Sequence, residues 1–380
     1  MFGFFTRVST KDNLIIAESY YLFTEIIVST NMKEIRSILD AYRKIDFRHQ
    51  KAALAMVVRV EGSSYRRMGA RMFVLDDGNF VGGISGGCLE GDARRRALKA
   101  IAGDKPSIVT YDTTQEDENQ IGVGLGCNGI IDVMFIPLNG KDDAVSTLKE
   151  IECTRVPQAI LTTIDSIETE KIGRSYLYHE SNVNDEIKKI VNNAMSSKKS
   201  LIHQSGKEKT LIEIVIPAIH LQIYGSNYDV YTLSRIAEEL GWDISLVGKA
   251  EKINRNIAST TKIYSQYLSE RPAIDEYSAA VLMSHDLATD KKNLQQLINT
   301  DISYIGLLGP AKRKEKLFDG IELSTTMHER LYGPAGLDIG ANTPEEIAIA
   351  ITSEIIAHFS NREGRSLRIK NGPIHENHTP

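Results

Sequence analysis

Apolar residues become regularly spaced at residue 32 and from there divide the chain into two halves. In the first half, the apolar positions between residues 35 and 42 recur at helical spacing and predict a helix. The apolar, β-branched run 52–60 has the length of a buried strand. The polar, lysine-rich segment 196–209 predicts a loop. Further strands are predicted at 71–75, 108–111, 130–137, 157–163, 174–179 and 210–216, and further helices at 89–102, 142–152 and 183–195.

The second half follows a strand–helix–strand rhythm. A strand at 221–224, a helix at 229–240 and a strand at 244–247 take about 30 residues, the usual length for two parallel strands joined by a crossover helix. Two more strands, at 279–283 and 304–308, follow along the chain. Alternating strands and helices indicate a parallel, doubly wound sheet.

The last long helix has a clear sequence signal for its start. Thr343 is the predicted N-cap, Pro344 stands at the first helical position, and Glu346 completes a capping box. These residues fix where the helix begins, independently of its apolar pattern.

These patterns predict an α/β protein of two domains. A mixed α/β domain is expected over residues 32–217, and a Rossmann-like domain with a doubly wound parallel sheet over residues 218–380. Residues 1–31 show no caps and no clear period, so they are interpreted as an N-terminal extension, with Met32 as a candidate biological start.

Composition narrows the class of protein. The 380 residues include 45 lysines and arginines against 50 aspartates and glutamates, and a net charge of −5 argues against a surface built to hold nucleic acid. No apolar run reaches the ~18 residues of a membrane span, and no secretory signal is recognisable. Three cysteines suit a reducing compartment, so a cytoplasmic location is expected.

The densest group of candidate ligand-binding residues follows the first strand. Within eleven positions the chain places Ser63, Ser64, Arg66, Arg67 and Arg71 beside glycines. Arginine forks and serine hydroxyls suit a phosphate or a carboxylate. An ordinary turn whose arginines face water is an equally good interpretation of the composition alone.

A glycine-rich turn precedes the helix predicted at 89–102. Ser85, Gly86, Gly87, Cys88 and Glu90 belong to this turn, whose backbone N–H groups could bind an anion next to the helix N-terminus. A thiol at that place tends to form a thiolate. Taken alone, Cys88 is better explained as a small buried cysteine in a tight turn.

A second glycine-rich segment carries another cysteine. Gly126 and Cys127 lie in the loop 112–129, whose length is typical of functional or disordered loops. Cys88 and Cys127 could face the same crevice and offer sulfur to a soft metal, although their spacing does not match a zinc site. Cys153 falls in a predicted helix and is interpreted as structural.

The turn after the first strand of the second half is an incomplete dinucleotide fingerprint. Gly225 is present, but Asn227 replaces the second glycine, and no acid follows the next strand at 248–249. His285 follows a strand end, where ligands of open α/β sheets bind, although a lone histidine is more often structural.

Together these segments resemble the XdhC/CoxI family, the accessory factors of xanthine dehydrogenase and related molybdenum hydroxylases. The resemblance covers most of the chain from about residue 45. It rests on five motifs: EGSSYRRMGARM (61–72), GGISGGCLEGD (82–92), GLGCNG (124–129), YIGLLGPAKRK (304–314) and GPAGLDIGANTPEEIA (333–348).

The resemblance implies a role as a cofactor chaperone. Such a protein binds the molybdenum cofactor, protects it while its terminal sulfido ligand is installed, and hands it to an apo-molybdenum hydroxylase of the xanthine dehydrogenase type. A cysteine desulfurase is a further expected partner, and the family suggests a homodimer. Under this resemblance, Arg66, Arg67, Arg71 and the glycine turn hold the anionic part of the cofactor. Cys88 or Cys127 faces the metal or its sulfur.

The chain departs from the family pattern at three places, and two other functions stay open. The usual G-x-G is Gly225-Ser226-Asn227, the strand-end acid is missing at 248–249, and Asn128 stands where a glycine is usual. The first two departures make NAD(P) a doubtful cofactor. They weigh against the alternative of an NAD(P)-linked oxidoreductase that uses the second half. A structural component of a hydroxylase complex is the third hypothesis.

Overall fold

The computed structural model describes residues 32–114, 129–253 and 256–370. Within these residues the chain forms three β-sheets with helices packed against them. The predicted extension 1–31 lies outside the described residues. No described helix combines the length and the apolar character that crossing a bilayer requires.

The first half is built on a five-stranded antiparallel sheet with β1 (Ala52–Gly62) in its centre. The strand predicted over 52–60 is confirmed, and it is buried on both faces. The other strands are β2 (Arg71–Leu75), β3 (Phe80–Gly82), β4 (Ser107–Asp112) and β5 (Gly129–Leu138), and the helices are α1 (Met32–Arg43), α2 (Glu90–Gly103) and α3 (Asp143–Glu152). β1 pairs with β2 and β5, and the sheet order is β3-β2-β1-β5-β4.

A four-stranded antiparallel sheet of order β7-β6-β9-β8 packs on the same core. It consists of β6 (Gln158–Asp165), β7 (Ser175–Leu177), β8 (Leu201–Ser205) and β9 (Glu208–Val215), with α4 (Asp185–Ser197) on its other face. The loop predicted over 196–209 was wrong, because β8 lies inside this segment and forms a hairpin with β9, which begins at Glu208. The flanking lysines and serines make this segment polar, so its sequence did not indicate the short edge strand β8, in which His203 is buried.

The second half is a six-stranded parallel sheet of order β12-β11-β10-β13-β14-β15. This order confirms the predicted Rossmann-like sheet, and its direction of winding reverses between β10 and β13. The strands are β10 (His220–Tyr224), β11 (Asp243–Gly248), β12 (Lys262–Ser265), β13 (Ser278–Leu282), β14 (Tyr304–Leu307) and β15 (Leu331–Tyr332).

Helices cover both faces of this parallel sheet. Leu221 and Ile223 of β10 point into the core formed with α5 and α9, whereas Tyr224 belongs to the opposite core. The predicted capping box is present at Thr343, whose hydroxyl accepts from Glu346 N. The helices are α5 (Asp229–Glu239), α6 (Leu287–Leu297), α7 (Ala311–Phe318), α8 (Thr325–Glu329) and α9 (Pro344–Phe359).

The two halves meet at the amino ends of the parallel strands. Arg155 donates to Asp275 at 2.8 and 3.0 Å, to Asp243 at 2.9 Å and to the carbonyl of Ala218 at 2.6 Å. Arg36 of α1 holds the other oxygen of Asp243 at 2.6 Å. The domain boundary predicted at 217/218 falls between β9 and β10 and stays a prediction.

Candidate functional site

The arginine-bearing loop connects β1 to β2 over residues 63–70. Ser63 is exposed, whereas Ser64 turns inward and is only 5% exposed. In the part of the chain that the structure describes, the buried hydroxyl oxygen of Ser64 has no hydrogen-bond partner. Such a group costs free energy unless something satisfies it, so it marks a place where a ligand atom would be favoured.

The three arginines of this motif have different surroundings. Arg66 forms an ion pair with Glu34 of α1 and keeps about a quarter of its side chain exposed. Arg71 is buried, and its guanidinium donates to both carboxylate oxygens of Glu213 on β9. The prediction that Arg71 holds a ligand therefore needs correction, because its guanidinium is buried and already paired with Glu213.

Arg67 is the arginine of this motif that remains available to bind an anion. Among the described residues no carboxylate pairs with it, and its Nε is buried without a partner. Burial lowers the pKa of the Arg67 guanidinium from its ordinary value. A cation held partly out of water with no counter-ion is stabilised by any anion that reaches it.

Glu34 ties this loop to α1. It accepts from the Arg71 backbone N–H at 3.0 Å and from the Arg66 guanidinium. Burial raises the pKa of Glu34, and the two arginines oppose that effect without cancelling it. The sequence offered no signal for Glu34, because its carboxylate sits in the first turn of an amphipathic helix beside the apolar face.

The glycine-rich turn before α2 binds an anion from its own chain. Glu90 accepts from the backbone N–H groups of Ile84 at 3.2 Å and Ser85 at 2.8 Å, and from the Ser85 hydroxyl at 2.5 Å. Burial opposes ionisation of Glu90, but these hydrogen bonds outweigh it and lower its pKa. The predicted anion-binding nest is therefore filled at these two N–H groups by Glu90.

The rest of the same turn is open to solvent. Gly86, Gly87 and Cys88 are exposed, and the Cys88 thiol lies 3.4 Å from the Ser85 hydroxyl. The interpretation of Cys88 as a buried cysteine is wrong, since its side chain lies outside the core. Cys153 is also exposed, at the end of α3. Among the described residues, no three potential metal ligands come together.

The two motifs meet at Tyr65 and Gly86. A Cβ atom added to Gly86 would lie 3.3 Å from the ring of Tyr65, so the aromatic ring rests directly on the glycine turn. On the α1 side of that turn, an open groove of about 520 Å³ is lined by Lys33, Arg66, Ser85 and other residues. The structure therefore brings Ser85, Gly87 and Glu90 together with Arg66.

The predicted residues of the second cysteine loop cannot be placed. Gly126 and Cys127 lie outside the described residues. The described chain resumes at Gly129, where an added Cβ would meet the Ser63 carbonyl oxygen at 2.2 Å. The proposed metal-facing role of Cys127 stays a prediction.

Gly225 and His285 belong to a separate place in the fold. They follow β10 and β13 at the carboxyl ends of the parallel strands. The contacts with the first half lie at the amino ends, at Asp243 and Asp275. A strand of five residues spans about 15 Å, so these two residues do not join the arginine loop and the glycine turn.

The turn after β10 is arranged for packing within the chain. A Cβ on Gly225 would come within 2.6 Å of the Met283 carbonyl oxygen, and the Asn227 amide donates to the Ser284 carbonyl at 3.1 Å. His285 lies 2.6 Å from the Asp229 carboxylate, at the start of α5. A carboxylate at that helix N-terminus disfavours the pyrophosphate of a dinucleotide.

Fold and site together define a two-part protein: antiparallel sheets that carry an arginine loop and an exposed thiol, joined to a Rossmann-type sheet. The model of the XdhC and CoxI family matches residues 48–112, and the model of the XdhC Rossmann domain matches residues 221–355. The chain belongs to the XdhC and CoxI family.

Two named relatives are similar to this chain over most of its length. A Bacillus subtilis protein, named as a probable xanthine dehydrogenase subunit, is 30% identical over 320 residues, covering 81% of this chain and 93% of the relative. The molybdenum cofactor insertion chaperone PaoD of Escherichia coli is 23% identical over 313 residues, covering 80% and 82%.

A solved structure shares the fold. A crystal structure described as a xanthine dehydrogenase from Bacillus halodurans matches with a TM-score of 0.69 and 26% identity, covering 88% of this chain and 98% of that chain. This chain and that solved structure therefore share their fold over most of their length.

Proposed function

We propose that this protein binds the molybdenum cofactor and assists its sulfuration and insertion into a molybdenum hydroxylase of the xanthine dehydrogenase type. The observation that carries the proposal is Arg67, a half-buried cation without an acid partner among the described residues, in the same loop as Ser64, whose buried hydroxyl also has no partner among them. Similarity to PaoD, which is named an insertion chaperone, supports the same role.

The residues of the site fit the chemistry of this cargo. The cofactor presents a phosphate and a dithiolene-bound molybdenum on a pterin. Arg67 and Ser64 would bind the phosphate by charge and hydrogen bonding. Cys88, exposed beside the N-terminus of α2, would face the metal or its sulfur, with Cys127 as the second candidate thiol. Arg66 would line the entrance while it remains paired with Glu34.

The partner in this proposal is an apo-hydroxylase that accepts the cofactor. A cysteine desulfurase would deliver the sulfur atom. A homodimeric assembly and a cytoplasmic location belong to the same proposal. The thiols need a reducing environment to remain free, which agrees with that location.

The test is anaerobic reconstitution of the purified protein with molybdenum cofactor, followed by transfer to an apo-xanthine dehydrogenase. Bound molybdenum and the recovered hydroxylase activity are measured. Arg67→Ala should lower both, whereas Arg174→Ala, which removes an exposed arginine elsewhere, should lower neither. Cys88→Ala and Cys127→Ala are compared with Cys153→Ala, which removes an exposed thiol outside the site.

The outcomes separate the parts of the proposal. Cofactor retention by Arg67→Ala equal to that of the unaltered protein would contradict the anion site. Retention by both cysteine variants equal to that of Cys153→Ala would remove the thiols from the mechanism. A protein that holds no cofactor at all would exclude the chaperone function.

A further inference from the structure

Tyr65 is an exposed aromatic residue with one supported face. Its side chain is 71% exposed although its neighbour Ser64 is buried. Ser64 turns inward and Arg66 is held by Glu34, so the backbone of this loop directs Tyr65 outward between two anchored residues. Its orientation therefore follows from the loop.

Gly86 fixes which face of the ring is covered. An added Cβ on Gly86 would lie 3.3, 3.4 and 3.5 Å from Cγ, Cδ1 and Cδ2 of Tyr65. These nearly equal distances place Gly86 over the face of the ring, because an approach within the ring plane would leave the three distances clearly different. The high exposure of Tyr65 then leaves the opposite face to solvent.

The surroundings of this open face belong to the candidate site. The ring rests on the turn that carries Cys88, and it stands in the loop that carries Arg67. An aromatic face on the turn that carries a thiol, in a loop that carries a cation with no acid partner among the described residues, suits a ligand with a flat ring, a sulfur-bound metal and a negative charge. Stacking on an aromatic side chain needs only a π face on the ligand.

We propose that the open face of Tyr65 stacks on the pterin ring of the molybdenum cofactor. This inference rests on the proposed function and adds to it the group that recognises the heterocycle. The phenol contributes through its ring, so the hydroxyl is dispensable. The tyrosine thereby orients the cofactor, while charge and sulfur contacts hold its two ends.

The test measures the dissociation constant of molybdenum cofactor, released anaerobically from a purified molybdenum enzyme, for the full-length protein and three variants. Tyr65→Leu removes the ring and should raise the dissociation constant by about tenfold. Tyr65→Phe keeps the ring and should bind as the unaltered protein does. Tyr228→Leu is the matched control, because Tyr228 is also 71% exposed but lies on the Rossmann half.

A second probe isolates the heterocycle. An oxidised, metal-free pterin without phosphate is fluorescent, and stacking on an aromatic ring should quench it. The unaltered protein and Tyr65→Phe should quench this fluorescence more than Tyr65→Leu does. Melting temperatures of all variants establish that each is folded.

The results distinguish the inference from the function on which it rests. If the unaltered protein binds no molybdenum cofactor, the proposed function fails and the inference fails with it. If the unaltered protein binds the cofactor and Tyr65→Leu binds it equally well, stacking is refuted and the chaperone function stands. Equal losses in Tyr65→Leu and Tyr65→Phe would also refute stacking, because they would point to the hydroxyl.

Discussion

Replacing Glu213 by alanine should destabilise the first half strongly, because it isolates a buried charge. Arg71 of β2 and Glu213 of β9 join the two antiparallel sheets, and each side chain is only 4% exposed. The guanidinium donates to both carboxylate oxygens, with Nη1 to Oε1 at 2.9 Å, and to the Gly69 carbonyl. Only the carbonyl contact survives in Glu213→Ala.

The size of the destabilisation follows from the burial of both side chains of the ion pair. Removing one member of a buried pair leaves the other charge without compensation and costs about 3–5 kcal/mol. Replacing both members by apolar residues of similar size costs far less, because no charge remains buried. The double variant Arg71→Met/Glu213→Leu should therefore be more stable than Glu213→Ala.

Urea unfolding followed by far-ultraviolet circular dichroism measures these differences. Asp143→Ala is the control, since it breaks an exposed ion pair with Arg174 and should leave stability nearly unchanged. A Glu213→Ala variant as stable as this control would refute the reasoning. The double variant should also retain molybdenum cofactor, because Arg71 is assigned a structural role and no ligand contact.

Two further predictions concern single hydrogen-bonding groups. Glu90→Gln should destabilise the protein by about 1–3 kcal/mol at neutral pH, since buried N–H groups of Ile84 and Ser85 lose their charged acceptor. The pKa of Glu90 is lowered in the folded protein, so the stability that its carboxylate contributes is lost as the pH falls below 4.5, the ordinary value. The difference in the free energy of unfolding between the unaltered protein and Glu90→Gln should therefore shrink at low pH, which denaturation at several pH values measures. Thr343→Ala removes the N-cap of α9 and should lower the free energy of unfolding by about 1 kcal/mol, as measured by thermal denaturation. A larger loss would mean that more than the cap has changed.

Much of the fold was predictable because its signals are local. The buried run of β1, the strand–helix–strand unit after Leu221 and the capping box at Thr343 each depend on residues close in sequence. The strands that the sequence analysis missed all lie at sheet edges. β8 and β12 (Lys262–Ser265) carry polar, partly exposed residues, and their pairing with a neighbouring strand decides their structure.

The candidate site was only partly predictable because its electrostatics depend on distant residues. The sequence singled out Arg66, Arg67 and Arg71 as equals. Glu34 and Glu213, which lie 32 and 142 residues away from the arginines they bind, distinguish them. No spacing rule reports such pairs, so only the three-dimensional structure shows that Arg67 differs from the other two in having no acid partner among the described residues.

The exposed aromatic residue beside the glycine turn has a partial signal in the sequence. Tyr65 stands in the middle of the arginine motif, between the serines and Arg66. The sequence does not reveal that Gly86 covers one of its faces. That contact depends on the packing of two loops that are separate in the chain.

The most direct measurement is protection of the exposed thiols by bound cofactor. Cys88 and Cys153 are both exposed, so a thiol-alkylating reagent should label both in the cofactor-free protein, as read by peptide mass spectrometry. With molybdenum cofactor bound under anaerobic conditions, labelling of Cys88 should fall while labelling of Cys153 stays unchanged. Equal labelling of Cys88 with and without bound cofactor would contradict the claim that the arginine loop and the glycine turn hold it.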